Sequence, residues 1–279
     1  MFLTGRAKLA GVIGWPVAHS RSPRLHGWWL ERYGIDGAYV PLPVQPAHFA
    51  EVVRALGRAG FLGVNVTIPH KEAALATVDE ATLSAWRIGA VNTIICDGDS
   101  RLFGLNTDGP GFIENLCDCW PCWRGSSGPA VVLGAGGAAR AIVAALVEKG
   151  VPRLFLVNRS RQRAESLVAD IGGPVEIIGW PYRAAVLEGA SLLVNTTTLG
   201  MTGAPPLELD LTALPQTALV ADIVYAPLVT PLLAVAQARG NPVADGMGML
   251  LHQARQGFAA WFGVEPEITA ELRAVMLER

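Results

Sequence analysis

The sequence predicts an α/β protein with two domains. Short apolar runs alternate with helical patterns along most of the chain, which indicates strands covered by helices. A glycine-rich segment, Gly134–Ala139, follows the apolar run Ala130–Leu133, and the stretch ahead of both is long enough for a domain of its own. Near its end the chain changes to helices without a further strand. We therefore expect one domain at residues 1–107 with 245–279 and a second at residues 108–244.

The composition indicates a globular protein that acts on a small molecule. Apolar residues make up 51% of the 279 residues and charged residues 16%, which supplies enough apolar surface for two cores. The formal net charge of -2 gives no broad attraction to nucleic acid or to an anionic membrane. No apolar stretch is long enough to cross a bilayer, and the first residues lack a signal-peptide pattern. We expect a cytoplasmic protein.

Four apolar runs and three helical patterns predict the elements of the first domain. The predicted strands are Leu9–Gly14, Ala38–Leu42, Gly63–Ile68 and Val91–Cys96, and the predicted helices are Pro23–Tyr33, Pro46–Gly57 and Glu72–Ala76. Their alternation favours a largely parallel sheet.

The second domain continues this alternation and predicts a doubly wound sheet. Its predicted strands are Ala130–Leu133, Arg153–Val157, Val175–Ile178, Leu192–Asn195, Leu219–Val224 and Pro242–Ala244. Its predicted helices are Ala138–Lys149, Arg161–Ile171, Pro181–Glu188 and Pro231–Arg239, and two terminal helices follow at Met247–Phe262 and Pro266–Leu277. The Pro, Gly and Ser residues of Trp120–Pro129 indicate the connection between the domains.

The spacing Gly-x-Gly-x-x-Ala that begins at Gly134 predicts a phosphate-binding turn. The first glycine permits a tight turn from strand to helix, Gly136 lets the backbone approach a pyrophosphate, and the small Ala139 lets the helix pack closely on the strand. Free N–H groups at the helix start then face the phosphates. Such turns also occur in ordinary helix–sheet packing, but here the turn joins a predicted strand to a predicted helix. The unit is typical of a Rossmann-type dinucleotide-binding domain.

The end of the next strand indicates which dinucleotide is bound. An NAD-binding domain places Asp or Glu there for the ribose 2′-hydroxyl, whereas this chain has Asn158 and Arg159, followed by Arg161 and Arg163. A guanidinium can bind a 2′-phosphate through two hydrogen bonds. Arginines at the start of an exposed helix also serve solubility. The position favours NADP(H) as the cofactor.

Polar side chains of the first domain can hold a small polar substrate. Ser20 and Ser22 precede a helix, so their hydroxyls and nearby N–H groups can bind a carboxylate, although Ser22 is also a good helix cap. Asn65 and Thr67 alternate onto one face where a strand ends. Lys71 starts the next helix, where a cation is mildly unfavourable unless it has a task.

A further pair of segments, Gly89–Thr93 and Gly104–Gly109, adds Asn92 and Asp108. An ammonium and a carboxylate brought together can share a substrate hydroxyl and move its proton while hydride passes to a cofactor, so Lys71 and Asp108 are a candidate catalytic pair. The two can equally form a plain salt bridge at a helix start. We expect the substrate in a cleft between the domains.

The cysteines do not predict a metal site. Cys117, Cys119 and Cys122 are close in sequence, but they lack a fourth ligand nearby and lie in the predicted connection, and Cys96 stands alone. We expect free thiols and no bound metal.

Together, the motifs resemble the shikimate dehydrogenase family along nearly the whole chain. The segments that carry the resemblance are Ser20–Pro23, Asn65–Lys71, Gly89–Thr93, Asn106–Gly109, Gly134–Ala138, Asn158–Arg163, Asn195–Thr197, Asp222–Tyr225 and Asp245–Met249 with Gln253. The resemblance implies reversible, NADPH-dependent reduction of 3-dehydroshikimate to shikimate in aromatic amino acid biosynthesis. One departure is His26-Gly27, because the family commonly has Asn after this histidine. One helix-to-loop hydrogen bond is therefore expected to be missing.

The resemblance also implies roles for individual residues. Lys71 and Asp108 form the catalytic pair, and Ser20 and Ser22 hold the substrate carboxylate. The residues implied in binding the rest of the substrate are Asn65, Thr67, Asn92, Tyr225 and Gln253. Those implied in cofactor binding are Gly134, Ala135, Gly136, Gly137 and Ala138 at the pyrophosphate, Asn158, Arg159 and Arg163 at the 2′-phosphate, Ile223, Gly246 and Met249 beside the nicotinamide, and Thr196.

Other functions stay open at this point. One alternative is a sister enzyme that acts on quinate or aminoshikimate. It would differ in how the serine segment, Ser20–Pro23, and the pocket for the substrate ring fit an extra hydroxyl or amine. The presence of both Ser20 and Ser22 favours shikimate. A second alternative is glutamyl-tRNA reductase, which has a similar glycine-rich loop but needs a nucleophilic cysteine in its N-terminal domain and a basic surface for tRNA. In this chain the first cysteine is Cys96 and the net charge is negative. A third alternative is a non-catalytic NADPH-binding module, against which Lys71 and Asp108 argue. A homodimer is compatible with the resemblance.

Overall fold

The computed structural model describes residues 3–99 and 101–278. The chain divides into two units, one of Met1–Thr107 with Leu251–Arg279 and one of Asp108–Leu250. Each unit is built on one six-stranded sheet. Within the described ranges no helix has the length and apolar character needed to span a membrane.

The first unit combines six strands with helices from both ends of the chain. The strands are β1 (Lys8–Gly14), β2 (Gly37–Pro43), β3 (Phe61–Val66), β4 (Glu80–Ala81), β5 (Thr93–Cys96) and β6 (Leu102–Leu105). The helices are α1 (Ser22–Arg32), α2 (Phe49–Arg58), α3 (Lys71–Thr77), α4 (Leu83–Ile88) and α10 (Ala270–Leu277), together with the end of α9 (Gly246–Phe262). The strand order is β2-β1-β3-β5-β6-β4.

This sheet is mixed, so the prediction of a largely parallel sheet was wrong on one side. The strand β1 runs parallel to β2 and β3, but β5 is antiparallel to both β3 and β6. A tight turn accounts for the antiparallel pairing of β5 with β6, because Asp97 Oδ1 accepts hydrogen bonds from the N–H groups of Asp99 (3.0 Å) and Arg101 (2.8 Å). Strands joined by so short a link can only pair antiparallel.

The second unit has the predicted doubly wound form. Its strands are β7 (Ala130–Leu133), β8 (Leu154–Asn158), β9 (Val175–Gly179), β10 (Leu192–Asn195), β11 (Leu219–Asp222) and β12 (Val243–Ala244), and its helices are α5 (Asp108–Cys119), α6 (Gly137–Glu148), α7 (Arg161–Ile171) and α8 (Pro231–Ala238), with the start of α9. The order β12-β11-β10-β7-β8-β9 is parallel throughout. The order reverses between β7 and β10, which is where such sheets bind nucleotides.

Three predicted segments of the chain differ from the structure. The stretch Trp120–Pro129 lies inside the second unit and does not connect the units, and Trp123 is buried in it. The predicted helix Pro181–Glu188 is a 3-10 turn at Trp180–Tyr182 followed by further turns. Hydrogen bonds between residues three apart, such as Ala185 N–H to Tyr182 O (3.1 Å) and Leu187 N–H to Ala184 O (3.3 Å), close these turns, so the α-helical bonding pattern does not develop. The last helix begins at Ala270 instead of Pro266, because the Thr269 hydroxyl caps its first turn by accepting a hydrogen bond from Leu272 N–H.

Gly63 is expected to be essential for the stability of the first unit. Its φ of +152° is unfavourable for other residues, and a Cβ there would lie 2.1 Å from the carbonyl oxygen of Ile94 and 2.2 Å from Nε1 of Trp261. These two atoms form a hydrogen bond of 3.1 Å, so neither can move away without breaking it. Gly63→Ala should lower the free energy of unfolding by about 3 kcal/mol or more, measured by urea denaturation.

Gly60→Ala is the matched control for this substitution. Gly60 has a φ of +83° but nothing within 4 Å of its Cβ position, so only backbone strain of about 1 kcal/mol is expected. Equal losses for the two variants would contradict the steric explanation.

Candidate functional site

The serine segment, Asn65 and Lys71 lie where β1 and β3 end. Ser22 is the first residue of α1 and buried, and its N–H donates to the Ser20 hydroxyl (3.3 Å). Lys71 is the first residue of α3 and half-buried, and its carbonyl oxygen accepts from Val91 N–H (2.9 Å). Thr67 follows β3, and its N–H donates to the Ile13 carbonyl at the end of β1 (2.9 Å).

Buried amides and hydroxyls form a continuous network in this unit. Asn65 Nδ2 donates to Thr93 Oγ1 (3.1 Å), and this hydroxyl donates to Asn92 Oδ1 (3.1 Å). Asn92 Oδ1 also accepts from Thr107 N–H (2.8 Å), while Asn92 Nδ2 donates to Thr107 Oγ1 (3.0 Å) and to Gln253 Oε1 (3.4 Å). The structure therefore brings three predicted site residues, Asn65, Asn92 and Gln253, into one network with fixed amide orientations.

Sequence reasoning missed the two threonines of this network and a third member, Tyr39. The Tyr39 hydroxyl donates to Asn65 Oδ1 (2.6 Å) and is also hydrogen-bonded to Ser22. Burial raises the pKa of Tyr39 well above its ordinary value, so it stays a neutral donor. Its only sequence signal is an aromatic residue on the buried face of the alternating strand β2.

His26 lies against Tyr39 and is the most strongly desolvated histidine of the first unit. Its ring stacks on Tyr39 with centroids 3.9 Å apart, and Trp29 and Phe258 also pack against it. Among the described residues neither ring nitrogen finds a hydrogen-bond partner, and the side chain is fully buried. Burial lowers the pKa of His26 from 6.5 to about 3, so the ring is neutral in the folded protein.

His26→Phe is expected to increase stability selectively at acid pH. Because the folded pKa lies below the unfolded value, the wild type takes up this proton only on unfolding and loses stability as the pH falls from 6.5 toward 3. The stability difference between variant and wild type should grow by about 2 kcal/mol between pH 7 and pH 5 in urea titrations. The change of this stability difference with pH excludes the packing cost of the larger ring, which does not depend on pH, and the titration of all groups that the two proteins share. A difference that stays constant with pH would contradict a neutral buried His26.

The glycine-rich loop Gly134–Ala139 lies at the switch point of the second sheet, which is the place between β7 and β10 where the strand order reverses. Gly134 follows β7 with a φ of +107°, and a Cβ there would lie 2.6 Å from the hydroxyl of Thr196, which follows β10. Thr196 in turn donates its hydroxyl to the Leu133 carbonyl (2.6 Å). Gly136 precedes α6 and has nothing within 4 Å of its Cβ position. Together with Gly137, the first residue of α6, it leaves an open helix N-terminus that fits a pyrophosphate.

The arginines after β8 fit a second anionic group. Asn158 ends β8 and donates through Nδ2 to the Ser160 carbonyl (2.8 Å), which closes the turn into α7. Arg161 is paired with Glu165 (2.8 Å). In the part of the chain that the structure describes, the exposed guanidinium groups of Arg159 and Arg163 have no hydrogen-bond or ion-pair partner. Two unpaired cations at this strand end, without a carboxylate, match a 2′-phosphate better than a 2′-hydroxyl.

A buried polar pair, Asn195 and Asp222, ends the strands β10 and β11. Asn195 Nδ2 donates to Asp222 Oδ1 (3.0 Å), and Val224 N–H donates to the same oxygen (3.0 Å). The Thr230 hydroxyl donates to Asp222 Oδ2 (2.7 Å). Burial raises the pKa of Asp222 from 3.8 to about 6, against the effect of these three donors. The carboxylate is therefore desolvated but well supplied with hydrogen bonds at neutral pH.

The remaining predicted residues lie in the second unit. Asp108 is buried and begins α5, and Tyr225 follows β11 in the second unit. Gly246 begins α9, where a Cβ would lie 2.3 Å from the Ile223 carbonyl oxygen, and Met249 is buried in the first turn of that helix. The structure thus brings Gly246 and Ile223 together.

The cysteine cluster does not converge on a metal site in the described ranges. Cys117 and Cys119 are on α5 and Cys122 follows it; all three are exposed and none is in a disulfide bond within the described residues. No group of three or more His, Cys, Asp or Glu side chains that could hold a metal occurs among the described residues.

A dinucleotide-binding loop at the switch point of a parallel sheet, joined to an α/β unit with a buried polar network, defines a two-domain dinucleotide-dependent enzyme class. The family model described as the shikimate dehydrogenase substrate binding domain matches residues 12–94, and the one described as shikimate / quinate 5-dehydrogenase matches residues 125–198. A shikimate dehydrogenase (NADP(+)) of Paramagnetospirillum magneticum is 62% identical, with 99% of this chain and 100% of the relative covered. The chain belongs to the shikimate dehydrogenase family.

Two solved structures are similar along nearly the whole chain. A shikimate 5-dehydrogenase from Thermus thermophilus, in complex with NADP(H) and shikimate, is 38% identical with a TM-score of 0.84, covering 96% of this chain and 97% of that one. A quinate dehydrogenase from Corynebacterium glutamicum, in complex with NAD, is 31% identical with a TM-score of 0.90, covering 97% and 99%. Both matches extend over the two units.

Proposed function

We propose that the protein catalyses the reversible, NADPH-dependent reduction of 3-dehydroshikimate to shikimate in aromatic amino acid biosynthesis. The observation that carries the proposal is the 62% identity over the full length of an NADP-dependent shikimate dehydrogenase. At that identity the two chains share one fold, and this chain has a lysine, a carboxylate and a nucleotide loop suited to the chemistry.

In this proposal Ser20 and Ser22 bind the substrate carboxylate, and the polar network orients the ring. The Ser22 hydroxyl can turn from Tyr39 toward the carboxylate, and Tyr39 keeps its bond to Asn65 when this happens. The side chains assigned to the ring hydroxyls are Asn65, Thr67, Asn92, Tyr225 and Gln253. Because the amides of Asn65 and Asn92 are held in place by buried partners, they are preorganised for a polar ligand.

Lys71 and Asp108 are proposed to move the hydroxyl proton. In shikimate oxidation the pair accepts the proton of the reacting hydroxyl, and in the reverse direction it returns this proton to the carbonyl oxygen. NADP(H), when bound, supplies or accepts the hydride. The loop Gly134–Ala138 is proposed to hold its pyrophosphate, Asn158, Arg159 and Arg163 its 2′-phosphate, and Thr196, Ile223, Gly246 and Met249 its remaining parts.

Product analysis tests the reaction directly. Purified protein with shikimate and NADP(+) should give 3-dehydroshikimate and NADPH in equal amounts. Proton NMR measures the 3-dehydroshikimate, and the absorbance of the reduced nicotinamide measures the NADPH. A protein that binds NADPH but forms no 3-dehydroshikimate at any concentration would refute the proposal and favour the non-catalytic module.

Quinate is a second candidate substrate, since the quinate dehydrogenase matches with a TM-score of 0.90. The expected cofactor distinguishes the two candidates. The quinate dehydrogenase structure contains NAD, whereas the end of β8 in this chain offers no acidic residue for the ribose 2′-hydroxyl of NAD. Shikimate with NADP(+) remains the preferred pair.

We further propose that the enzyme works in the cytoplasm, where its exposed thiols would stay reduced. A homodimer is the larger assembly that we consider, and light scattering on purified protein distinguishes it from a monomer.

A further inference from the structure

Two loops of the second unit carry residues that we assign to the cofactor and the substrate, and both loops start at the Asn195–Asp222 pair. Thr196 follows Asn195 directly, whereas Ile223 and Tyr225 follow Asp222. Asn195 is fully buried and Asp222 is 2% exposed, so neither side chain is itself available to a ligand. Their effect on the site must pass through the backbone of the loops.

Two acceptors, the carboxylate of Asp222 (3.0 Å) and the carbonyl oxygen of Leu199 (3.1 Å), determine how the amide of Asn195 points. A carboxylate only accepts hydrogen bonds, so Asn195 must turn Nδ2 toward it. The Asn195 Oδ1 atom then faces the next loop, where it accepts from the N–H (3.0 Å) and the hydroxyl (2.7 Å) of Thr197. This fixes the backbone on both sides of Thr196. On the other loop, Asp222 Oδ1 binds Val224 N–H and thereby closes the turn that carries Ile223 and Tyr225.

Thr230 does more than cap a helix. Its hydroxyl accepts from Leu233 N–H (3.3 Å) at the start of α8, as the Thr269 hydroxyl accepts from Leu272 N–H (3.1 Å) at the start of α10. Both helices have eight residues. Thr230 in addition donates to Asp222 Oδ2 and is fully buried, whereas Thr269 has no acidic partner among the residues that the structure describes. A helix cap alone does not require a desolvated carboxylate, because the threonine hydroxyl suffices.

We propose that Asp222 and Thr230 are positioning residues for NADP(H): they hold the Thr196 loop and the Ile223–Tyr225 turn in the binding conformation. The inference rests on the proposed function. It predicts that the loss of the Thr230 hydroxyl weakens dinucleotide binding although this side chain touches neither cofactor nor substrate.

The test compares dissociation constants for NADPH, measured by nicotinamide fluorescence on the full chain well below its melting temperature. Thr230→Val should raise this constant about five- to twentyfold, and Thr230→Ser, which keeps the hydroxyl, should stay within about twofold of wild type. Thr269→Val removes the equivalent cap and should lower the melting temperature similarly without changing NADPH affinity. In steady state, Thr230→Val should raise KM for NADP(+) more than it lowers kcat.

A double-mutant cycle keeps the proposal falsifiable if one variant folds poorly. Asp222→Asn should weaken NADPH binding as well, and Thr230→Val should add little in that background, because the two act through one contact. Additive effects, or equal NADPH affinity in Thr230→Val and wild type, would overturn the positioning role while the wild type still turns over shikimate. A wild type that neither binds NADPH nor oxidises shikimate would overturn the proposed function and this inference together.

Discussion

Replacing Lys71 with alanine is expected to lower kcat for shikimate oxidation by about 10²–10⁴-fold, with little change in KM for shikimate. The reason is that the ammonium takes part in moving a proton that is in transit only in the transition state, so its loss affects the barrier and not ground-state binding. The expected rise of the barrier is about 3–5 kcal/mol. Initial rates at the absorbance band of reduced nicotinamide, at saturating NADP(+), measure the effect.

Two controls separate proton transfer from charge and from folding. Lys71→Arg should be nearly as inactive as the alanine variant, since a guanidinium keeps the positive charge but does not give up its proton near neutral pH. Lys149→Ala removes an exposed lysine at the end of α6 and should leave kcat unchanged. A Lys71→Ala variant whose kcat stays within about threefold of wild type would contradict the assigned role.

The double substitution Arg159→Ala/Arg163→Ala is expected to raise KM for NADP(+) by about 10–100-fold while KM for NAD(+) hardly changes. The two guanidinium groups have no internal partner in the described ranges, so their removal breaks no ion pair of the folded chain. The loss of the two guanidinium groups should therefore weaken the binding only of a dinucleotide that has a 2′-phosphate. The ratio of kcat/KM for the two dinucleotides measures the change in preference.

Arg153→Ala is the matched control for these arginines. Arg153 precedes the opposite end of β8, where it is paired with Glu176 (2.6 Å) and lies over the Phe155 ring. Its loss should change neither dinucleotide KM. A double variant that keeps the wild-type preference for NADP(+) would show that other groups bind the 2′-phosphate.

The doubly wound unit could be predicted because its central strands are buried on both faces. Strand β7 is a continuous run of apolar residues, and β10 is apolar up to its last residue, Asn195; every position of both strands is buried, and glycine marks the turn that follows β7. The antiparallel side of the other sheet could not be predicted in the same way, because β4 has two residues and β6 has four, too short for a clear period. Helix α5 was missed since its first turn reads Asp-Gly-Pro-Gly, although a proline in the first turn is compatible with a helix.

The site could be predicted as a set of motifs but not as a network. Gly134 and Thr196 lie side by side in the structure although 62 residues separate them in sequence, and only the strand order brings them together. Tyr39 shows the limit more clearly. Its partner Asn65 is on another strand, and an aromatic residue in a strand is usually core, so its hydroxyl bond was not visible in the sequence.

The most direct test of the whole account is a set of four initial-rate measurements on one preparation of the wild-type protein. Shikimate and quinate are each offered with NADP(+) and with NAD(+), and kcat/KM is determined for every pair. We expect shikimate with NADP(+) to exceed each of the other pairs by at least about tenfold, since both the phosphate contacts and the substrate pocket would then contribute. Comparable values for quinate or for NAD(+) would contradict the account.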